Sequence, residues 1–307
     1  MKPIEQIRIL VVGDIMLDKY VVGDTDRISP EAPVAIVNVT NEYYTLGGCG
    51  NVIRNIAELG AKVDCLSSIA MDGDGVLVAA ELGKIGARPL LFYGSKTTTV
   101  KERIIANNRK TQMLRVDREC IQIIDTKLAI DLFKEKCRNV YDMVVVSDYA
   151  KGMITQELME FLKHDQDADI IVDPKPSNMT LYDGVFMITP NDKEWGQMCL
   201  SSSNTLSNVP YIVKTKGNKG MDVIVNNKSG RNWTIEAEDV PVYNVSGAGD
   251  VVVAMMAICL SHGLDVLDSA YISNKCAGYA VTQPQTCVVP KNKFEEIYNN
   301  YVIPNNQ

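Results

Sequence analysis

The chain has 307 residues, 46% hydrophobic and 22% charged, and its 31 Lys and Arg against 38 Asp and Glu give a formal net charge of −7. This is ordinary globular composition, enough for one large core or two modest ones. The acidic balance argues against a general nucleic-acid binder, and the longest fully apolar run, residues 251–260, is too short to span a bilayer.

Residues 7–12 form an apolar run closed by Gly13-Asp14, which reads as a buried strand delivering polar groups at its C-terminal end. Residues 34–39, after the turn-rich Ser29-Pro30-Glu31-Ala32-Pro33, read as a more exposed strand outside the main sheet. Gly47-Gly48-Cys49-Gly50 opens a helix over 51–59, with Val52, Ile53, Ile56 and Leu59 on one face and Gly60 as its stop. A strand at 63–68, a turn at Asp72-Gly73-Asp74-Gly75 and a helix at 76–85 follow. The pattern changes over 90–116. There, residues 97–105 and 112–116 flank the polar Asn107-Asn108-Arg109-Lys110 and predict a long β-hairpin. With 34–39 it would make a small second sheet.

A helix at 128–136 restores the strand–helix rhythm, with strands at 143–146, 170–172, 185–188 and 211–214 and a helix at 155–163. Strands at 221–225 and 233–237 flank a polar turn and read as an antiparallel edge. Two apolar helices, 250–261 and 267–281, precede a tail at 301–307 expected to fray. This alternation predicts a mostly parallel sheet covered on both faces. No repeat, linker or low-complexity tract divides the chain. The expectation is one α/β domain over 1–307, with β lid segments at about 15–45 and 90–116.

Four sets of polar groups follow predicted strands: Asp14, Asp148, Asp173 with Lys175, and Asn191 with Glu194. In an open α/β sheet, ligands bind outside the C-terminal strand ends. Ser246-Gly247-Ala248-Gly249-Asp250 precedes the apolar helix. Unpaired amides and the dipole at such a helix start hold an anion. A carboxylate beside that anion can take a proton from an attacking hydroxyl, the arrangement for phosphoryl transfer. The competing reading is a glycine turn with Asp250 as helix cap, and spacing alone gives each even odds. No Walker motif, protein-kinase signature or dinucleotide GxGxxG is present. Eight cysteines without a CxxC read as core thiols of a reducing compartment, and two histidines are poor material for zinc. With no basic-then-apolar start, the expected location is cytoplasmic.

The Gly247-Ala248-Gly249-Asp250 and Gly47-Gly48-Cys49-Gly50-Asn51 elements resemble the two signatures of the ribokinase-like (PfkB) carbohydrate kinases, in the family's order. Within that family the chain is most similar to the heptose 7-phosphate kinase domains of ADP-heptose biosynthesis. Residues 13–20, Arg27-Ile28-Ser29-Pro30-Glu31-Ala32-Pro33-Val34 and 114–117 carry that narrower likeness. Ser147-Asp148-Tyr149-Ala150-Lys151-Gly152, Asp173-Pro174-Lys175 and Thr189-Pro190-Asn191 complete it. The likeness runs from about residue 7 to 289 and implies a three-layer α/β/α fold with a mostly parallel central sheet and a small β lid.

The resemblance also implies roles. Asp250 is the expected base, and the amides of Gly247, Ala248 and Gly249 the expected anion hole. Asp14, Gly47, Gly48 and Asn51 match positions that hold sugar hydroxyls, although Asn51 equally suits a helix N-cap; Asp18 is a further candidate hydroxyl ligand that equally suits a turn cap. Lys101 and Arg103 lie on the lid strand that reaches substrate. Asn191 and Glu194 match an Asn-x-x-Glu element that organises Mg2+ through water, the alternative for Glu194 being first-turn helix decoration. Thr215, Gly217 and Gly220 match the nucleotide phosphate and ribose wall, and Asn274 the adenine wall. A substrate that already carries a phosphate needs cations, and Lys151 and Lys175 are expected there, or else at solvent-facing strand ends. Asp148 either reaches substrate or satisfies loop amides.

ATP and Mg2+ are the implied cofactors, with K+ near the glycine loop in many members. The substrate would be a phosphorylated sugar, taken at its anomeric hydroxyl. Kinases of a fructose phosphate or of ribose, and a sensor without turnover, are the rival readings. A homodimer through the β lid is implied, with no nucleic-acid or membrane partner. Asn244 stands where the family commonly writes Asp, which puts K+ dependence in question. The chain is also expected to hold no nucleotidyltransferase domain, leaving adenylyl transfer to a separate heptose 1-phosphate adenylyltransferase.

Overall fold

The apolar run near the N-terminus folds as β1 (Arg8–Gly13), followed by β2 (Ile15–Ile28), β3 (Ala35–Gly48), α1 (Cys49–Glu58), β4 (Lys62–Ile69), α2 (Gly73–Lys84) and β5 (Arg88–Tyr93). Then come β6 (Thr99–Ala106), β7 (Thr111–Arg118), α3 (Thr126–Lys136), β8 (Met143–Ser147), α4 (Gln156–Asp165), β9 (Asp169–Asp173) and β10 (Met187–Ile188). The chain continues through α5 (Asp192–Ser201), β11 (Tyr211–Thr215), β12 (Met221–Val225), β13 (Asn232–Ile235), α6 (Ala248–His262), α7 (Val266–Val281) and α8 (Lys291–Asn305). The computed structural model describes residues 1–109, 111–137, 140–165, 167–201, 206–226 and 230–305. The expected turn residues Lys110 and 227–229 and the last two residues, 306–307, lie outside these.

The main sheet runs β13-β12-β11-β10-β9-β8-β1-β4-β5. All pairs from β5 to β11 are parallel, and β12 and β13 add an antiparallel edge. Side chains alternate along β1: Ile9 and Val11 enter one buried cluster with α1, α2, α6 and α7, while Leu10 and Val12 enter another with α3 and α4. Burial on both faces is why β1 and β8 read as unbroken apolar runs. The expected three-layer α/β/α fold, mostly parallel at its centre, is what forms.

A second sheet runs β3-β2-β6-β7, with β2 and β6 parallel and the outer pairs antiparallel. The expected hairpin is β6 and β7, and the expected exposed strand is the start of β3. Four points differ from the sequence reading. Residues 15–28, which carry Asp18, Asp24, Asp26 and Arg27, fall within the expected 15–45 lid segment without a strand of their own, yet they form β2, held by partners on both sides. Residues 90–93 belong to β5, which pairs with β4 in the main sheet, so the second-sheet segment begins at Thr99 instead. The predicted turn at 72–75 is the N-terminus of α2, with Asp72 as its cap. The tail expected to fray continues α8 to Asn305, where Tyr301 stacks on Tyr271 with ring centroids 4.3 Å apart and donates to Asp268 Oδ1 at 2.7 Å. Tertiary contacts, not periodicity, hold that helix.

Asp72 joins the two sheets. Its carboxylate accepts from Gly75 N at 2.8 Å, Thr98 N at 2.9 Å and Thr98 Oγ1 at 2.7 Å. It therefore caps α2 and anchors the entry to β6. Asp72→Ala is expected to destabilise the protein by about 1–2 kcal/mol, the usual cost of a lost cap. Urea denaturation checks this: the midpoint should fall with the slope unchanged, and an unmoved midpoint would exclude the anchor.

Candidate active site

β10, β9, β8 and β1 are neighbours, so their C-terminal ends bring Asn191, Asp173, Asp148 and Asp14 to one edge. The convergence anticipated from strand ends is thus a product of strand order. Over this edge comes the N-terminus of α6. Gly247 caps it at φ 82°, and a Cβ there would lie 2.4 Å from Asn51 Nδ2, so only glycine fits. The turn presses its backbone against α1.

Asp250, in the first turn of α6, is 6% exposed. Its Oδ2 accepts from Asn51 Nδ2 at 2.8 Å and its Oδ1 from the Tyr149 hydroxyl at 2.9 Å. Burial pushes its pKa up to about 6, against the lowering effect of those two hydrogen bonds. Beside it, burial and then the charge of Asp250 push Asp173 well above the carboxylate range. Asp250 is thus poised to titrate near neutrality, as a general base should be. Of the three expected anion-hole amides, that of Ala248 donates to Val245 O at 3.3 Å, while those of Gly247 and Gly249 have no partner among the described residues.

The remaining expected residues divide into those that reach the Asp250 neighbourhood and those spent elsewhere. Asn51 is no N-cap: Gly48 caps α1, and the Asn51 amide faces Asp250. Gly48 has φ 58°, and a Cβ on it would lie 2.4 Å from Asp14 O; one on Gly47 would lie 2.5 Å from Asp18 Oδ2. Asp18 caps no turn. It sits in β2, its Oδ1 accepting from Arg103 Nη1 at 2.6 Å. Asp14 Oδ2 accepts from the amides of Tyr149 at 2.9 Å and Lys151 at 3.1 Å, and Oδ1 from that of Met153 at 3.1 Å. Asp148, fully buried, accepts from Ala150 N at 2.6 Å, Asn178 Nδ2 at 2.7 Å and the Tyr182 hydroxyl at 2.6 Å. One of those bonds is from a loop amide, as the loop-stabilising reading expects; the other two come from side chains of the 176–182 segment.

The cations are likewise paired. Lys151 Nζ lies 2.7 Å from Glu119 Oε2, and Lys175 Nζ lies 2.5 Å from Glu194 Oε1. Glu194 N donates to Asn191 Oδ1 at 2.9 Å, and Asn191 N to Glu194 Oε2 at 3.0 Å, a reciprocal capping box that starts α5. This one carboxylate, with an oxygen already opposite an ammonium, suits a hard cation held mainly by phosphate oxygens and water. Thr215 N donates to Pro190 O at 3.0 Å, which sets the 215–220 turn beside Asn191; Gly217 and Gly220 turn it at φ 59° and 79°. Asn274 Nδ2 donates to Glu236 O at 2.8 Å; a cleft of about 390 Å³ lined by Glu238, Tyr271, Lys275, Lys293 and Tyr301 lies between α7 and α8, and Asn274 is not part of its lining. Asn244 Oδ1 accepts from Ser246 N at 2.9 Å, which engages one of that oxygen's two lone pairs in its own turn.

Sequence reasoning missed Tyr149. It lies in a stretch that carried the family likeness, but no local pattern tells that its hydroxyl meets Asp250. Its ring has Lys101 Nζ at 5.6 Å and Lys175 Nζ at 5.4 Å from the centroid.

The description "pfkB family carbohydrate kinase" matches residues 6–292. The chain belongs to the pfkB family of carbohydrate kinases. It is 31% identical to the bifunctional protein HldE of Syntrophotalea carbinolica over 98% of this chain and 64% of that protein. It is 34% identical to the protein of the same name from Nitratiruptor over 96% of this chain and 65% of that one. The chain thus spans about 64% of the length of these relatives. In fold it is similar to Escherichia coli phosphofructokinase-2 in complex with potassium, with a TM-score of 0.77 at 16% identity over 96% of this chain and 99% of that one. Thermotoga maritima ribokinase gives 0.69 at 16% identity, over 96% and 100% of the two chains. The protein is a sugar kinase of the ribokinase-like fold.

In this pfkB-family kinase the raised Asp250 pKa has a sign that can be checked. The folded protein holds the proton more tightly than the unfolded chain, so Asp250 favours folding at low pH, and that benefit is lost as pH rises through about 6. Asp250→Asn should therefore melt at or above the wild-type temperature at pH 8. The difference should shrink or reverse below pH 5. Thermal melts across pH 4.5–8.5 test this, and a pH-independent difference would contradict it.

Proposed function

We propose that this kinase transfers the γ-phosphoryl group of ATP to the anomeric hydroxyl of D-glycero-D-manno-heptose 7-phosphate, giving the 1,7-bisphosphate and ADP. The observation that carries phosphoryl transfer is Asp250: a buried carboxylate with a pKa of about 6 beside the Gly247 and Gly249 amides, which have no partner among the described residues. The heptose rests on kinship to the HldE proteins over nearly the whole chain.

Asp250 takes the proton of the anomeric hydroxyl as that oxygen attacks the γ-phosphorus. The bond to the β-phosphate oxygen breaks and ADP leaves. The Gly247 and Gly249 amides and the α6 dipole face the charge on the transferring group. Asn51 orients the Asp250 carboxylate, and Asp14 orients the 149–153 loop beside it. Asp18 and the Gly47-Gly48 backbone face the sugar. Lys101, Arg103 and Lys151 are assigned to the end that already carries phosphate, and Lys175 to the triphosphate side, where it already answers Glu194. Mg2+, when bound, neutralises phosphate charge; Asn191 and Glu194 would hold it through water. Thr215, Gly217 and Gly220 border the phosphates and ribose. Asn274 borders the adenine. K+ would sit near the glycine loop, where Asn244 in place of Asp brings one negative charge less but still a carbonyl oxygen.

Exposed Ile28, Val39 and Leu114 on the second sheet, with Val34 just before β3, support a homodimer through that sheet. No described helix is long and apolar enough to cross a membrane, and a cytoplasmic site of action suits a consumer of ATP. Adenylyl transfer is assigned to a heptose 1-phosphate adenylyltransferase outside these 307 residues.

ADP release measured with ATP and Mg2+ over heptose 7-phosphate, fructose 6-phosphate, fructose 1-phosphate and ribose tests the proposal. Turnover is expected with the heptose phosphate, and Asp250→Ala should lower it by roughly 10²–10⁴, the range for a lost general base. Preference for another sugar would remove the substrate and leave the chemistry. Binding of ATP without turnover on any sugar would favour a sensor.

A further inference from the structure

The loop between β8 and α4 is more constrained than a connection needs to be. Among the described residues Ala150 is the non-glycine with positive φ, at 54°. Gly152 follows at φ 109°, and a Cβ there would lie 2.0 Å from Gln122 O. Asp14 takes the amides of residues 149, 151 and 153, and Asp148 takes that of Ala150. Gln122 N and Ile124 N donate to the carbonyls of Lys151 and Gly152 at 3.1 and 3.2 Å. Strained backbone persists where its surroundings over-determine it, and such sites cluster at function. What this loop brings to the base is the Tyr149 hydroxyl, 2.9 Å from Asp250 Oδ1.

We propose that Tyr149 is a positioning residue for the base: its hydroxyl on Oδ1, with the Asn51 amide on Oδ2, fixes the Asp250 carboxylate and keeps it ionised for the acceptor hydroxyl. The inference rests on the reading of Asp250 as general base. Each carboxylate oxygen has a second lone pair, so the substrate hydroxyl need not displace Tyr149. Burial, and then the charge of Asp250, push the Tyr149 phenol well above its usual range, so it stays a donor. The titratable and charged groups facing Asp250 are Asp18 from β2, Cys49 from α1, Tyr149, Asp173 from β9 and Lys175 beyond it. Of these, Tyr149 makes the direct hydrogen bond.

The test is Tyr149→Phe, which keeps the ring. Two readouts are taken: the pH profile of kcat/KM, and the carboxyl titration of Asp250 by 13C NMR without sugar, its resonance assigned with Asp250→Asn. Loss of the donor should move the acid limb and the carboxyl titration upward together by about half a pH unit or more. kcat should fall about tenfold with KM for ATP nearly unchanged. A folded variant with both titrations unmoved would overturn the proposal. A merely structural role would change the melting temperature and leave the titrations in place, which also overturns it. If the wild type turns over no sugar while the carboxyl titration still moves, the positioning stands and the kinase assignment fails. Should Tyr149→Phe not fold, 3-fluorotyrosine at 149 is a stronger donor and should move both titrations downward; no movement again overturns the proposal.

Discussion

A carboxylate held out of water by two neutral donors is the constraint on which this structure turns. Asp250 makes no salt bridge among the described residues; an amide from α1 and a phenol from the β8–α4 loop hold it. A cation against it would pull its pKa down and spoil it as a base, whereas burial alone would leave it protonated. Two hydrogen bonds leave it near pH 6, between those limits. Everything that sets those donors becomes part of the site: Gly247, which lets α6 approach Asn51, and Asp14, which closes the loop that carries Tyr149.

This explains why several acidic residues at the strand ends have different jobs despite similar positions. Asp14 accepts from the amides of the loop that carries Tyr149, and Asp148 from Ala150 N in that loop and from Tyr182 and Asn178, so both help hold the loop. Glu194 closes a capping box with one oxygen and meets Lys175 with the other. Asp18 fixes Arg103 across the β2–β6 pair. A polar residue after a buried strand thus marks the edge of a site. Its partners decide whether it binds, caps or reacts.

Much of the fold was legible because burial direction is a local property. The strands at 7–12, 143–146 and 170–172 are apolar runs since both faces are covered, and the helices around them show their stripes. Misreadings fell where a distant partner supplies the order. β2 is polar but paired on both edges, β5 is an edge strand that opens with Arg88-Pro89, and α8 is held by aromatic contacts with α7. In the site, the glycines and Asp250 were visible as a local motif, and Asn191 and Glu194 as an Asn-x-x-Glu element, whose reciprocal capping bonds came only with the structure. Tyr149 was not, since one tyrosine among 13 carries no mark of its partner.

The sequence by itself determined the alternation of strands and helices, the glycine-rich start of α6, the Asp250 carboxylate within it and the family likeness. Each is written in neighbouring residues, because steric limits on backbone angles and the period of side-chain burial act over a few positions. Only the tertiary structure decided which donors meet that base. Asn51 lies 199 residues from Asp250 and Tyr149 lies 101 away. A hydrogen bond needs its partners within about 3 Å, and only the order of strands in the sheet brings such distant residues that close.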